Sequence, residues 1–214
     1  MVEKSFIVVE GPIGVGKTSL THRLADHLQA ETVLESVDEN PFLSKFYRHP
    51  EQYALSTQLY FLLRRAEQMS ALKQEDLFSR TRVADYLMSK DKLFASVTLN
   101  EEEFKIYEQV YERMAVSVPP PDLVVYLQAP VEILMQRIAH RGRKFERTME
   151  RQYLLRLMDA YTEFFFHYSE APLLIVNAAE IDWVNNNKDF DQMLEQIMSM
   201  ETGRQYFNAP SIKS

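Results

Sequence analysis

Residues 11–18, Gly11-Pro12-Ile13-Gly14-Val15-Gly16-Lys17-Thr18, fit the phosphate-binding-loop pattern G-x-x-x-x-G-K-[ST]. The flanks are those such a loop requires. Residues 5–9 (Ser-Phe-Ile-Val-Val) form a short apolar run that reads as a buried strand. Beyond the loop, Leu20, Leu24 and Leu28 recur every fourth residue and share one helical face. Glycines let successive N–H groups turn inward around an anion, and the helix N-terminus adds partial positive charge. Gly11, Gly14, Val15, Gly16, Lys17, Thr18 and Ser19 are therefore the expected nucleotide-binding set. Lys17 reaches for the β- and γ-phosphates, and the Thr18 hydroxyl for Mg2+. The loop implies a nucleoside triphosphate and leaves the phosphate acceptor open.

The 214 residues suffice for one domain, 1–214, with a substantial core, and 46% hydrophobic residues make a globular fold the expectation. A net charge of −7 without a dense basic run argues against general nucleic-acid binding. The absence of cysteine excludes disulfides, thiolate chemistry and cysteine-held zinc, and suits a cytoplasmic protein. Apolar runs such as residues 123–127 are too short to span a bilayer, so no membrane association is expected. With a strand expected from Ser5, no N-terminal targeting segment is expected either.

Residues 31–35 (Glu-Thr-Val-Leu-Glu) read as a second strand. It ends in Glu35, where open α/β sheets place ligands. Asn40-Pro41 marks a helix start. From 50 to 72 the pattern is helical, with Leu55, Leu59, Leu62, Leu63, Ala66, Met69 and Leu72 at spacings of three and four. Gln58 and Arg65, seven apart, point the same way. For either alone a solvated polar face is the ordinary reading. Residues 80–85 read as a third strand, again ending in a carboxylate, Asp85. Asn100 and Glu103 form a capping-box-like helix start, followed by a stripe of Phe104, Tyr107, Tyr111 and Met114.

Pro119-Pro120-Pro121 is a stiff connector into a strand at 122–128, and Pro130 opens the next helix. Residues 153–168 form a helix whose aromatics read as core. Residues 173–176 are a fifth strand and 189–200 a last helix. The tail after Glu201, with Tyr206 and Phe207, carries no assignable pattern. Five strands alternating with helices predict a five-stranded parallel sheet covered on both faces.

Arg137 and the run His140-Arg141-Gly142-Arg143-Lys144-Phe145-Glu146-Arg147 have two readings. One is a solvated basic helix end that complements the helix dipole. The other is a lid whose arginines close on transferred phosphate charge, which the phosphate loop favours.

This ordered set resembles the deoxynucleoside kinase family over nearly the whole chain. The pieces are residues 11–18, Glu35 with Asp38-Glu39-Asn40-Pro41-Phe42-Leu43, then Tyr47, Pro50-Glu51-Gln52-Tyr53, Gln58 and Arg65. Asp85, Asp91, the Arg137–Glu146 lid and Asn177-Ala178-Ala179-Glu180-Ile181-Asp182 follow. The resemblance implies a phosphate-loop kinase fold with an arginine lid (Arg137, Arg141, Arg143), ATP as donor, Mg2+, and a deoxynucleoside as acceptor. It implies that Glu35 takes the 5′-hydroxyl proton, that Tyr47 and Glu146 hold the 3′-hydroxyl, and that Gln58 reads a base edge. Arg65 and Asp91 match the charged pair of members that accept purine deoxynucleosides or deoxycytidine. Tyr53 matches a pocket aromatic, Phe42 is a further stacking surface, and Asp85 matches an acidic residue near Mg2+. A homodimer formed by helix packing, with the 50–72 and 100–114 helices as its face, is also implied.

One departure matters. The family usually places Arg-Ser after that acidic residue, whereas Tyr86-Leu87 follow Asp85 here. The charge is supplied by Arg82, Lys90 or a lid arginine, or is dispensed with. Two other classes share parts of the pattern. A nucleoside monophosphate kinase of the thymidylate-kinase type needs cations for the acceptor's own phosphate. A nucleotide-binding protein that has lost kinase activity needs no intact transfer machinery.

Overall fold

The computed structural model describes residues 4–74, 81–114 and 120–208. Arg80, Pro119 and the side chain of Leu72 lie outside them. β1 (Phe6–Glu10) is central, flanked by β3 (Arg82–Ala84) and β4 (Leu123–Gln128). With β2 (Glu31–Val33), β5 (Leu173–Asn177) and β6 (Arg204–Phe207), the sheet runs β2-β3-β1-β4-β5-β6, every neighbouring pair parallel. Ile7, Val8 and Val9, residues 123–127 and residues 173–176 are buried without alternation. That is the pattern of strands covered on both faces.

The sheet has six strands rather than five. β6 is the tail that carried no assignable pattern. It lies on the sheet edge with only Phe207 partly buried, so no apolar periodicity marks it. Arg204 helps to fix it by donating to the carbonyls of Phe165, Phe166 and Tyr168. These carbonyls end α7 (Arg151–His167), and a guanidinium satisfies acceptors that a helix end leaves open.

α1 (Lys17–Leu28) follows the phosphate loop, and a short helical turn, α2 (Leu43–Phe46), follows Asn40-Pro41. α3 (Pro50–Gln74), α4 (Lys90–Thr98) and α5 (Glu101–Met114) pack on one another. α4 carries no long apolar stripe and was not foreseen; Leu93 and Ala95 bury its inner face. Asn100 caps α5: its Oδ1 accepts from the N–H groups of Glu102 and Glu103, and its own N–H donates to Glu103. α6 (Val131–Arg141) and α8 (Asn187–Ser199) complete the layers. The α7 aromatics are core: Phe165 stacks on Tyr126 with ring centroids 4.1 Å apart, and Tyr161 is fully buried. From β1 the chain order departs in both directions along the sheet. The resulting crevice, at the carboxyl ends of β1 and β3, is where open α/β sheets bind ligands.

Candidate active site

β1, β2 and β3 each lead at their carboxyl end to a carboxylate, Glu10, Glu35 and Asp85, around one crevice. On the donor side, the phosphate loop turns through left-handed glycines. Gly16 has φ +105°, and a Cβ there would lie 2.8 Å from the Trp183 ring, so only glycine lets the loop and that ring meet. Lys17 curls back on its own loop, donating to the carbonyls of Gly11 (2.7 Å) and Pro12 (3.2 Å). Burial lowers its pKa to about 8, helped by the Lys90 charge and opposed by Glu10, Glu35 and Asp85.

A cavity of about 1040 Å³ opens over the loop, lined by Gly14 to Ser19, the lid arginines Arg137, Arg141 and Arg143, and residues 179–185. Arg137 is tied down, donating to Val15 O (3.1 Å) and Ala178 O (2.8 Å). It braces the loop against the segment after β5.

On the acceptor side lies a smaller cavity of about 260 Å³, lined among others by Glu35, Tyr47, Gln58, Arg65, Lys90 and Glu146. Asp85 ties Glu35 to the phosphate loop: the Glu35 N–H donates to Asp85 Oδ1 at 2.8 Å, and the Thr18 hydroxyl donates to Asp85 Oδ2 at 2.6 Å. The Glu35 carboxylate pairs with Arg65 through Oε1 and with Lys90 through Oε2, the latter at 3.3 Å. Burial would raise its pKa, but the Arg65 and Lys90 cations prevail and hold it at about 2, so Glu35 is ionised at neutral pH. Arg65 reaches on to Asp91 Oδ1 at 2.6 Å. Asp91 is fully buried behind Arg65 and outside the cavity lining.

Gln58 donates to Thr98 Oγ1 at 3.1 Å. Tyr47 stacks on Phe145 of the lid segment with planes 8° apart. Glu146 is held by Arg141, with contacts of 2.5 and 3.2 Å, while Arg143 reaches Asp38 at 3.1 Å. Tyr53 and Phe42 lie outside this lining, where Phe46, Phe61 and Phe94 stand instead; the Tyr53 ring faces Lys45.

One carboxylate of the crevice escaped sequence reading. Glu10 is fully buried and accepts from Gly11 N, Leu87 N and the Tyr161 hydroxyl. A carboxylate closing an apolar strand, the signal that singled out Glu35 and Asp85, marks it too. Tyr86 occupies the position after Asp85: its ring faces the Arg65 guanidinium at 5.5 Å and its hydroxyl donates to Gln68. Arg82, one candidate for the displaced charge, begins β3 at the far end of the sheet beside Glu31.

Thr18 and Asp85 offer Mg2+ a hydroxyl and a carboxylate at the boundary of the two cavities. That sparse, hard-oxygen set suits an ion that keeps waters and binds phosphates. Among the described residues no group of three or more acidic, histidine or cysteine side chains could hold a metal by itself.

The two cavities share Gly14, Lys17, Thr18, Arg141 and Arg143. A phosphate loop opening through shared cations into a second pocket, lined by both charged and apolar side chains, defines the class as small-molecule kinases of the phosphate-loop type. Comparison with known proteins narrows this. The family model described as deoxynucleoside kinase matches residues 7–201. A deoxyguanosine kinase of Bacillus subtilis is 30% identical over 200 residues, covering 91% of this chain and 97% of the relative. A deoxyadenosine kinase of Lactobacillus acidophilus is 32% identical over 205 residues, covering 89% and 94%. The solved deoxyadenosine kinase of M. mycoides with products dCMP and dCDP bound superposes with a TM-score of 0.79 at 24% identity. It covers 91% of this chain and 100% of that one, a likeness of fold. The chain belongs to the deoxynucleoside kinase family.

Proposed function

We propose that the protein transfers the γ-phosphoryl group of ATP to the 5′-hydroxyl of a purine deoxynucleoside or of deoxycytidine. The observation that carries this reading is the junction of the two cavities at Gly14, Lys17, Thr18, Arg141 and Arg143. A triphosphate in the larger cavity directs its terminal phosphate at an acceptor in the smaller one. Lys17 and the backbone of the loop hold the donor phosphates. Glu35, ionised and anchored beside Asp85, orients the acceptor hydroxyl and takes its proton as the new P–O bond forms. Arg141 and Arg143 offset charge on the moving phosphoryl group. Mg2+, held by Thr18 and Asp85, would neutralise charge on the donor phosphates.

Tyr47 and Glu146 face the sugar, and Gln58 with the Arg65–Asp91 pair selects the base. An acceptor carrying its own phosphate is disfavoured, because Arg65 and Lys90 are already paired with carboxylates. The acceptor pocket with Glu35 beside an intact loop likewise speaks against a protein that has lost transfer. Among the described residues no helix is long and apolar enough to cross a membrane, and the cysteine-free chain suits the cytoplasm. α3 and α5 each expose a large apolar side chain, Leu63 and Ile106, and a homodimer would form through these helices.

The test is a panel of deoxyadenosine, deoxyguanosine, deoxycytidine and thymidine with Mg-ATP. Monophosphate from at least one of the first three, in excess over thymidylate, is expected. No monophosphate from any of them, or turnover of deoxynucleoside monophosphates alone, rejects the reading.

A further inference from the structure

Lysine side chains are rarely buried without a paired anion. Lys90 is 2% exposed, at the first turn of α4, and it lines the acceptor cavity. Its ammonium group lies between two carboxylates, 3.3 Å from Glu35 Oε2 and 3.7 Å from Glu10 Oε1. Glu10 cannot follow a moving partner, because Gly11 N, Leu87 N and the Tyr161 hydroxyl hold both of its oxygens. Lys90 is thus pinned from behind by a fixed anion and presents its charge forward to Glu35.

The other cations of the crevice are differently engaged. Lys17 is bonded to loop carbonyls, Arg141 to Glu146, and Arg143 to Asp38. Arg65 divides its guanidinium between Glu35 and Asp91. Lys90 and Asp91 are neighbours in sequence, so the first turn of α4 grips both ends of the chain Lys90–Glu35–Arg65–Asp91.

We propose that Lys90 is the positioning cation of the transfer step: by holding Oε2 of Glu35 it fixes the carboxylate that orients the acceptor hydroxyl toward the transferring phosphoryl group. This rests on the reading of Glu35 as the proton acceptor. Lys90 binds neither base nor sugar in this assignment. Its loss therefore falls on the transfer step and spares acceptor binding.

The experiment is a double-mutant cycle of Lys90→Gln and Glu35→Gln, with kcat and KM for the preferred deoxynucleoside and its equilibrium affinity measured separately. Lys90→Gln should lower kcat about 10²-fold while KM and affinity change less than about threefold. In the Glu35→Gln background the same change should cost less than about threefold, because the partner it positions is gone. Undiminished kcat in Lys90→Gln overturns the proposal. So does a full loss retained in the Glu35→Gln background, and so does a loss confined to KM. Unchanged turnover in Glu35→Gln alone rejects Glu35 as proton acceptor, a separate failure. Lys90→Met, which keeps most of the stem and removes the head, carries the same expectations if the glutamine variant does not fold.

Discussion

Glu35 and Asp91 sit two ion pairs apart and call for different measurements. Glu35→Gln keeps the shape of the side chain and removes the proton acceptor. Turnover should fall about 10²–10⁴-fold with nucleotide affinity largely kept; equal loss of nucleotide binding would argue against the assigned role. Asp91→Ala leaves Arg65 buried with only Glu35 as its ionic partner, which should cost about 3 kcal/mol in urea-induced unfolding. A change below about 1 kcal/mol would show that the buried pair is not coupled to folding. The residues legible in sequence were those announced by local context: a carboxylate closing a strand, or a polar side chain repeated on an apolar helix face. Lys90 was legible only as one of several cations that could replace a displaced arginine, since the two carboxylates it meets lie 55 and 80 residues earlier in the chain. Tyr86 was legible only as a departure from a motif; its packing against Arg65 depends on α3 bringing a guanidinium to the residue that follows Asp85.

The strands written as unbroken apolar runs, β1, β4 and β5, and the strongly apolar helices α3 and α7 lie close to where their patterns placed them. α4 and β6 were not legible. α4 is short and buries polar as well as apolar residues, Lys90 and Asp91 among them, and β6 is an exposed edge. The phosphate loop and α6 make one mechanical unit. Gly14 has φ +84°, and a Cβ there would lie 2.9 Å from Leu134 O and 2.7 Å from the Ile138 side chain. Gly14→Ala therefore adds about 1–2 kcal/mol of backbone strain and pushes α6 away from the loop. We expect nucleotide affinity to weaken at least about tenfold and the thermal unfolding midpoint to fall. Wild-type values for both would show that the loop absorbs a side chain without moving.

At the scale of the whole molecule, Leu63 is 42% and Ile106 51% exposed on α3 and α5, two helices that a small cluster of Leu62, Ala95 and Tyr107 ties to α4. In sedimentation the protein should run at twice its chain mass, and Leu63→Asp with Ile106→Asp should reduce it to one chain. A wild-type protein that runs as a single chain refutes the dimer. The larger cavity has a different consequence. Trp183 is the chain's one tryptophan, and it forms part of that cavity's wall against Gly16. The protein therefore carries its own optical gauge. Its tryptophan emission should change saturably on titration with nucleoside triphosphate and stay flat with deoxynucleoside alone, so occupancy of one half of the site is readable without a label.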